Sequence, residues 1–186
     1  MGDLRDAQRS SGQLPGIVPT GGWGFNWGNG PAWDGAAVLI PWYVYVYDGD
    51  TTLLEDQYDS MKRYVDFLGT MASDHIVSYG LGDWCPPQNP PKCPAEVVLT
   101  AYYAVFAQII SEAARVVGKK ADVARYERLY RRVRKAFQNA FLDRKTGQIK
   151  SNTQTALACA LYQGMVDEPD RPKVFEALVQ SVEAAK

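Results

Sequence analysis

Two short segments of this chain place a tryptophan beside an aspartate in a loop-forming context. Trp33-Asp34 is followed by Gly35, and Asp83-Trp84 ends another glycine-rich stretch. The face of an indole stacks on the apolar C–H face of a pyranose, and a carboxylate accepts hydrogen bonds from hydroxyl groups. The pairing therefore predicts binding of a polyol such as a sugar. Structural alternatives remain open: Asp83 could cap the next turn, and Trp33 could pack in the core.

The tryptophans are concentrated near the start of the chain. Four of the five lie within the first 42 residues, and aromatic residues make up 12% of the sequence. Composition alone favours a large aromatic core. However, residues 10–33 are rich in Gly, Pro and Trp, which is typical of a long, ordered, functional loop. We expect Trp23 and Trp27 to line a cleft or to plug this loop. Trp42 lies in an apolar run and is expected in the core.

Charge and composition exclude several classes of partner. The net charge is −1 and the isoelectric point is about 5.8, so the chain has neither the basic footprint of a nucleic-acid-binding protein nor a polybasic face for a membrane. We expect no apolar run to reach the roughly 18 residues that span a bilayer. The N-terminus lacks the apolar segment of a secretory signal. The sequence leaves the localisation unknown.

The sequence predicts neither a metal site nor a cofactor. His75 is the single histidine and is expected at the surface, and the three cysteines form no Cys-x-x-Cys pair. Cys85 and Cys93 flank a proline-rich stretch. They could form a disulfide in an oxidising compartment or remain two thiols, and the spacing leaves both open.

Apolar residues recur at helical spacing along most of the chain, which predicts an all-α domain of stacked helical hairpins. Thr52 and Glu55 match the capping-box pattern, which predicts that a helix begins there. No segment reads as a sheet. The predicted helices cover 35–47, 52–68, 94–117, 121–141, 155–166 and 172–186, and the long loops cover 10–33 and 72–94. Because such hairpins put functional loops at one end, we expect both long loops to line the same mouth.

A series of blocks in this order resembles the catalytic domain of bacterial α-L-rhamnosidases. The blocks are Trp33-Asp34-Gly35-Ala36-Ala37 with the apolar run to Trp42, then 47–50, 54–66, Gly80-Leu81-Gly82-Asp83-Trp84 and 100–103. Much of the family has Gly-Asp where this chain has Asp34-Gly35. The resemblance implies a six-hairpin (α/α) toroid, of which residues 1–186 are one incomplete domain. It also implies inverting hydrolysis of terminal α-L-rhamnosides in the parent enzyme.

The resemblance also assigns roles within the site. Asp83 and Trp84 match a loop whose aspartate binds sugar hydroxyls and whose ring flanks the sugar. Trp33 and Asp34 match the facing loop, and Trp27 joins them as a substrate-binding candidate. The family's acid glutamate lies in an Asp-Glu-Arg block and its base glutamate in a Trp-Glu-x-Trp-like block. Neither block occurs in this sequence. The chain therefore supplies no catalytic residue, and we expect it to be inactive alone.

Other functions remain as alternatives. The tryptophans would also suit a non-catalytic carbohydrate-binding module, and the helices a structural repeat module. An incomplete toroid would leave apolar helix faces uncovered, which predicts a homo-oligomer formed through those faces.

Overall fold

The computed structural model describes residues 1–84 and 92–185, and helices make up most of it. The helices are α1 (Gly2–Ala7), α2 (Pro31–Asp34), α3 (Ala36–Asp48), α4 (Thr52–Met71), α5 (Ala95–Val116), α6 (Lys120–Phe141), α7 (Gln154–Tyr162) and α8 (Arg171–Glu183). The all-α prediction is confirmed. The expectation of no sheet was wrong in one place: β1 (Ala72–Ser73) and β2 (Ile76–Val77) pair antiparallel. Asp74 and His75 turn between them with positive φ angles.

Helix α5 is the centre of the core. It packs against α2, α3, α4, α6 and α7, and its contact with α6 is the most extensive. Most of its side chains are buried, including those of Tyr103, Phe106 and Ile110. Burial of aromatic and branched side chains is the main favourable contribution to folding. These five helices surround α5, and α8 packs on the outer side against α7.

By length and composition α5 could also cross a membrane, since it has 22 residues and a mean hydropathy of 1.5. The expectation that no segment would reach this length was wrong for α5. However, 78% of its apolar stretch is buried inside the chain. A helix covered by its own domain on most sides is typical of a protein core.

The start of α4 differs from the predicted capping box. Thr51, not Thr52, is the N-cap residue, and its side chain makes no capping hydrogen bond. Instead, the Thr52 amide donates to Asp50 Oδ1 at 2.8 Å. The aspartate of the preceding turn thus satisfies an amide that the helix leaves unpaired.

Helix ends depart from prediction by a few residues. Helix α4 continues past Gly69 to Met71, whereas α7 ends at Tyr162 rather than Val166. Gly164 has a φ of 70°, a left-handed conformation that ends a helix at little cost for glycine. Apolar spacing continues beyond α7 because Met165 and Val166 are still buried, although they lie outside the helix.

The two long loops meet, as expected, at one place on the surface. The Leu81 amide donates to the Asn29 carbonyl at 2.8 Å. Beside that bond, Gly30 and Gly80 have φ angles of 110° and 107° and their backbones touch. We call this contact the loop junction, formed by Asn29 and Gly30 with Gly80 and Leu81. Close backbone approach at such φ angles requires glycine on both sides.

Replacing Gly80 by alanine tests the loop junction. The new Cβ would lie 2.2 Å from the Asn29 carbonyl oxygen, so one of the loops must move. Gly22→Ala is the matched control, because Gly22 has a similar φ of 96° and no neighbouring atom within 4 Å. Gly22→Ala should lower the free energy of unfolding by about 1 kcal/mol through backbone strain alone. Gly80→Ala should cost a further ~2 kcal/mol from overpacking, as measured by urea denaturation. Equal losses would contradict the junction.

Candidate sugar-binding site

Four tryptophans form a continuous surface where the long loops meet. The ring centroids of Trp23 and Trp27 are 4.3 Å apart, and Trp84 stands edge-on to Trp27 at 6.2 Å and to Trp33 at 6.0 Å. These side chains remain 53%, 44%, 48% and 44% exposed in the order Trp23, Trp27, Trp84 and Trp33. We call this surface the aromatic wall. Indoles held in place and half open to solvent can stack on an apolar ligand face.

The aromatic wall decides between the alternatives that the sequence left open. Trp33 is exposed, so the alternative of core packing was wrong for it. Trp23 and Trp27 lie along the wall rather than inside a plugged loop. Trp42 packs against the core and its ring centroid is 5.6 Å from that of Tyr45, which confirms its predicted place.

Asp83 adjoins the wall through its neighbour Trp84. Its Oδ2 accepts a hydrogen bond of 3.1 Å from the hydroxyl of Thr155, in the first turn of α7. Thr153 caps the same helix by accepting from the Ala156 amide at 3.2 Å. The loop that carries Asp83 is thus tied to the start of α7, and its carboxylate is only partly buried. Its predicted alternative, capping of the next turn, involves 85–91, which lie outside the described residues.

Asp34 lies behind the wall rather than on it. Its side chain is only 5% exposed, and its Oδ2 accepts from the Gly30 amide at 3.0 Å and from the Tyr64 hydroxyl at 3.2 Å. Burial raises the pKa of Asp34 to about 7, although bonds from Gly30, Tyr64 and Asn29 lower it. Through the bond from Gly30, the N-cap residue, the carboxyl at the end of the short helix α2 is tied to the N-terminus of the same helix. Trp33, the direct neighbour of Asp34 in the chain, lies in the same helix.

The order Asp34-Gly35 has a packing reason. A Cβ on Gly35 would lie 2.7 Å from the Phe106 ring of α5 and 2.7 Å from the Pro31 carbonyl oxygen. Glycine therefore allows α2 to approach the central helix closely. With residue 35 pressed against α5, the preceding carboxylate turns into the loop. Trp33 is left facing outward.

Sequence reasoning missed several residues that organise the site. Asn29 is 2% exposed and donates through Nδ2 to the Leu14 carbonyl at 2.7 Å. Gln13 donates through Nε2 to the Phe25 carbonyl at 2.9 Å and to the Tyr79 hydroxyl at 3.1 Å. Each side chain connects loop segments that are distant in sequence. The sequence gave little indication of these contacts. The Asn29-Gly30 pair predicts a turn, but it does not predict that the Asn29 carbonyl bonds to Leu81, about 50 residues away.

The described cysteines near this region are buried or half-buried. Burial raises the pKa of Cys93 to about 11 and that of Cys159 to about 12, so both are poor nucleophiles at neutral pH. Cys85 lies outside the described residues, and its predicted alternatives stay untested. In the two described stretches, no group of three His, Cys, Asp or Glu side chains is arranged to hold a metal ion. His75 is partly exposed in its turn.

Among the described residues, the two candidate carboxyl groups, Asp34 and Asp83, do not form an acid–base pair across a common ligand surface. Inverting glycosidases hold two carboxyl groups about 6.5–9.5 Å apart, both reaching the same sugar. Of the two candidate carboxyls, Asp83 adjoins the wall, whereas Asp34 is buried behind it. What the site offers is a stacking surface with a hydrogen-bonding carboxylate at its edge.

Comparison with known proteins bears directly on this arrangement. The family model described as the bacterial alpha-L-rhamnosidase 6 hairpin glycosidase domain matches residues 1–186. An alpha-L-rhamnosidase of Streptomyces avermitilis is 36% identical over 185 residues, which cover 98% of this chain and 17% of that protein. One from Formosa agariphila is 31% identical and matches all of this chain and 20% of its own length. The chain thus spans about a fifth of these relatives.

Solved structures agree with the sequence matches. The Streptomyces avermitilis alpha-L-rhamnosidase complexed with L-rhamnose superimposes with a TM-score of 0.89 and 33% identity, over 99% of this chain and 17% of that one. The alpha-L-rhamnosidase from Dictyoglumus thermophilum gives a TM-score of 0.88 and 34% identity, over 96% and 21%. The helices, the loop order and the sequence blocks thus correspond together, and this chain belongs to the family of bacterial α-L-rhamnosidase six-hairpin glycosidase domains.

Proposed function

We propose that this chain forms part of the sugar-binding wall of an α-L-rhamnosidase, which hydrolyses terminal α-L-rhamnosides with inversion. One observation carries the proposal: Trp84 bridges Trp27 and Trp33, and Asp83 stands beside it. The indoles stack on the apolar face and methyl group of the sugar. The carboxylate of Asp83 accepts hydrogen bonds from its hydroxyls.

The relatives support this ligand. A structure of the Streptomyces avermitilis enzyme is complexed with L-rhamnose, and it aligns with nearly the whole of this chain. Asp34 acts on the sugar indirectly in this proposal, because its carboxyl is buried and orients Trp33. The other four candidate residues, Trp27, Trp33, Asp83 and Trp84, contact the ligand directly.

Truncation of Trp84 should weaken rhamnose binding. L-Rhamnose titrated into the chain should change its tryptophan fluorescence, and Trp84→Ala should raise the dissociation constant about fivefold, equivalent to ~1 kcal/mol of lost stacking. Tyr47→Ala is the matched control, since Tyr47 is 81% exposed on α3 and lies outside the aromatic wall. An unchanged dissociation constant in Trp84→Ala would contradict the proposal, as would the absence of a rhamnose-dependent signal in the unsubstituted chain. The second outcome would favour a purely structural module.

We further propose that this chain alone does not turn over substrate. Hydrolysis with inversion needs one carboxylic acid to protonate the leaving oxygen and one carboxylate to activate water. The glutamate blocks that supply these groups in the family do not occur in this sequence. Binding and catalysis therefore come from different parts of the parent enzyme.

Incubation with an aryl α-L-rhamnoside tests this separation. The chain should release aryl alcohol no faster than buffer, while a full-length relative under the same conditions provides the positive control. A rate constant within tenfold of that relative would overturn the proposal. Loss of such a rate in Asp83→Asn would then identify Asp83 as the missing acid or base.

We also propose that isolated copies associate through α7 and α8. These helices border an open groove of about 490 Å³, lined mainly by apolar side chains, including Leu161, Tyr162, Phe175 and Leu178. Tyr162 and Phe175 are 83% and 60% exposed. Water-exposed aromatic side chains on adjacent helices favour self-association.

A charge placed in this groove should prevent association. Phe175→Asp should give a monomer by size-exclusion chromatography with light scattering, at concentrations where the parent chain is dimeric or larger. Gln180→Glu adds the same charge on α8 outside the groove lining and should leave the mass unchanged. A parent chain that stays monomeric at every concentration would refute the proposal.

A further inference from the structure

The side chain of Asp83 is held by a residue from a distant part of the chain, Thr155 in α7. The Thr155 hydroxyl donates to Asp83 Oδ2 at 3.1 Å, across a separation of 72 residues. We propose that Thr155 is a positioning residue for sugar binding, which holds the Asp83 carboxylate so that Oδ1 meets the hydroxyl groups of the sugar. This role rests on the proposed function, because it concerns how the same carboxylate meets its ligand.

The backbone that leads to Asp83 is anchored by two earlier contacts. The Leu81 amide bonds to the Asn29 carbonyl at the loop junction. A Cβ on Gly82 would lie 2.7 Å from the Cα of Ala95, so the chain there is pressed against the first residue of α5. These contacts fix the place of residue 83 but leave the torsions of its side chain free. The direction of the carboxylate must therefore come from a side-chain contact.

Thr155 provides that contact. It makes the only hydrogen bond to the Asp83 side chain among the residues that the structure describes. A carboxylate can only accept, so the hydroxyl must donate its single proton to Oδ2, and Oδ1 keeps its lone pairs for the hydroxyl donors of a ligand. Both residues are only partly exposed, so this bond competes less with water than one on the open surface would.

The Thr155 hydroxyl is not needed to begin α7. Thr153 is the N-cap residue, and its hydroxyl accepts from the Ala156 amide at 3.2 Å. A threonine within a helix commonly donates its hydroxyl to a carbonyl of the preceding turn. The Thr155 hydroxyl instead reaches out of the helix to Asp83, and a negative charge is favoured beside a helix N-terminus. The two threonines therefore have separate tasks, one capping the helix and one holding the carboxylate.

A carboxylate that is oriented before the ligand arrives binds it more tightly. A free aspartate side chain would have to be ordered by the sugar itself, and ordering a side chain on binding lowers affinity several-fold. Trp84 follows Asp83 directly, so the same bond also restrains the segment that carries this ring of the aromatic wall. Loss of the Thr155 hydroxyl should therefore weaken sugar binding without removing any group that touches the sugar.

Thr155→Val removes the hydroxyl and keeps the shape of the side chain. The dissociation constant for L-rhamnose, followed by tryptophan fluorescence, should rise about fivefold, and Thr155→Ser should largely restore it. Thr153→Val is the matched control, because it makes the same exchange at the cap of the same helix. It should lower the stability of the chain and leave the dissociation constant unchanged. An equal rise in Thr153→Val would show that loosening the start of α7 is sufficient, and would overturn the role of Thr155.

A double-mutant cycle separates an effect through Asp83 from a general effect on the fold. Asp83→Ala leaves no carboxylate to orient. In that background Thr155→Val should leave the dissociation constant at the value that Asp83→Ala alone produces. Effects of the two substitutions that simply multiply would mean that Thr155 acts independently of Asp83, which contradicts the proposal.

A measurement without sugar keeps this role distinct from the proposed function. In the chain labelled with ¹³C at aspartate, the Asp83 carboxyl signal and the Trp84 indole N–H signal should shift in Thr155→Val but not in Thr153→Val. Unmoved signals in Thr155→Val would overturn the positioning role. Rhamnose binding that is weakened in Trp84→Ala but unchanged in Thr155→Val would also overturn it and leave the proposed function standing. Shifted signals in a chain that binds no rhamnose would support the hold on Asp83 and contradict the proposed function alone.

Discussion

The loop junction is the contact on which the candidate site depends. Two loops separated by about fifty residues of chain meet there through one backbone hydrogen bond, from Leu81 to Asn29, and through the touching backbones of Gly30 and Gly80. No side chain at either glycine would fit between them. The contact therefore holds the two loops against each other with no room for an intervening side chain. The tryptophans on the two loops therefore form one surface, although no helix carries all of them.

Buried polar side chains hold these loops together, and burying such groups is unfavourable wherever they lack a hydrogen-bond partner. Asn29 and Asp34 are almost fully buried, and each makes hydrogen bonds with one part of its side chain while leaving one oxygen unpaired. Hydrogen bonds formed in a low dielectric stabilise strongly, but an unpaired buried acceptor is equally unfavourable.

In the proposed function, this chain contributes to sugar binding, and the carboxyl groups that cleave the bond come from other parts of the parent enzyme. The described residues provide a stacking surface and one adjoining carboxylate, held by the start of α7 through Thr155. Such features are suited to orienting a sugar, whereas inverting hydrolysis also requires two carboxyl groups that reach the same sugar. The chain corresponds to about a fifth of its relatives. The groove between α7 and α8 is exposed, and no described residue packs over it.

Local sequence determined much of the architecture. Helical spacing placed α4, α5 and α6 to within a few residues, and the order of the Trp33–Trp42 and Gly80–Trp84 blocks identified the family, because both signals are carried by neighbouring residues. Tertiary structure decided what those signals could not. Trp33 faces solvent because Gly35 packs on α5, and Asp34 is turned inward for the same reason. Burial and partnership depend on chain segments far apart in sequence. Only the folded chain could therefore distinguish the half-buried carboxylate of Asp83, beside the aromatic wall, from the buried carboxyl of Asp34 behind it.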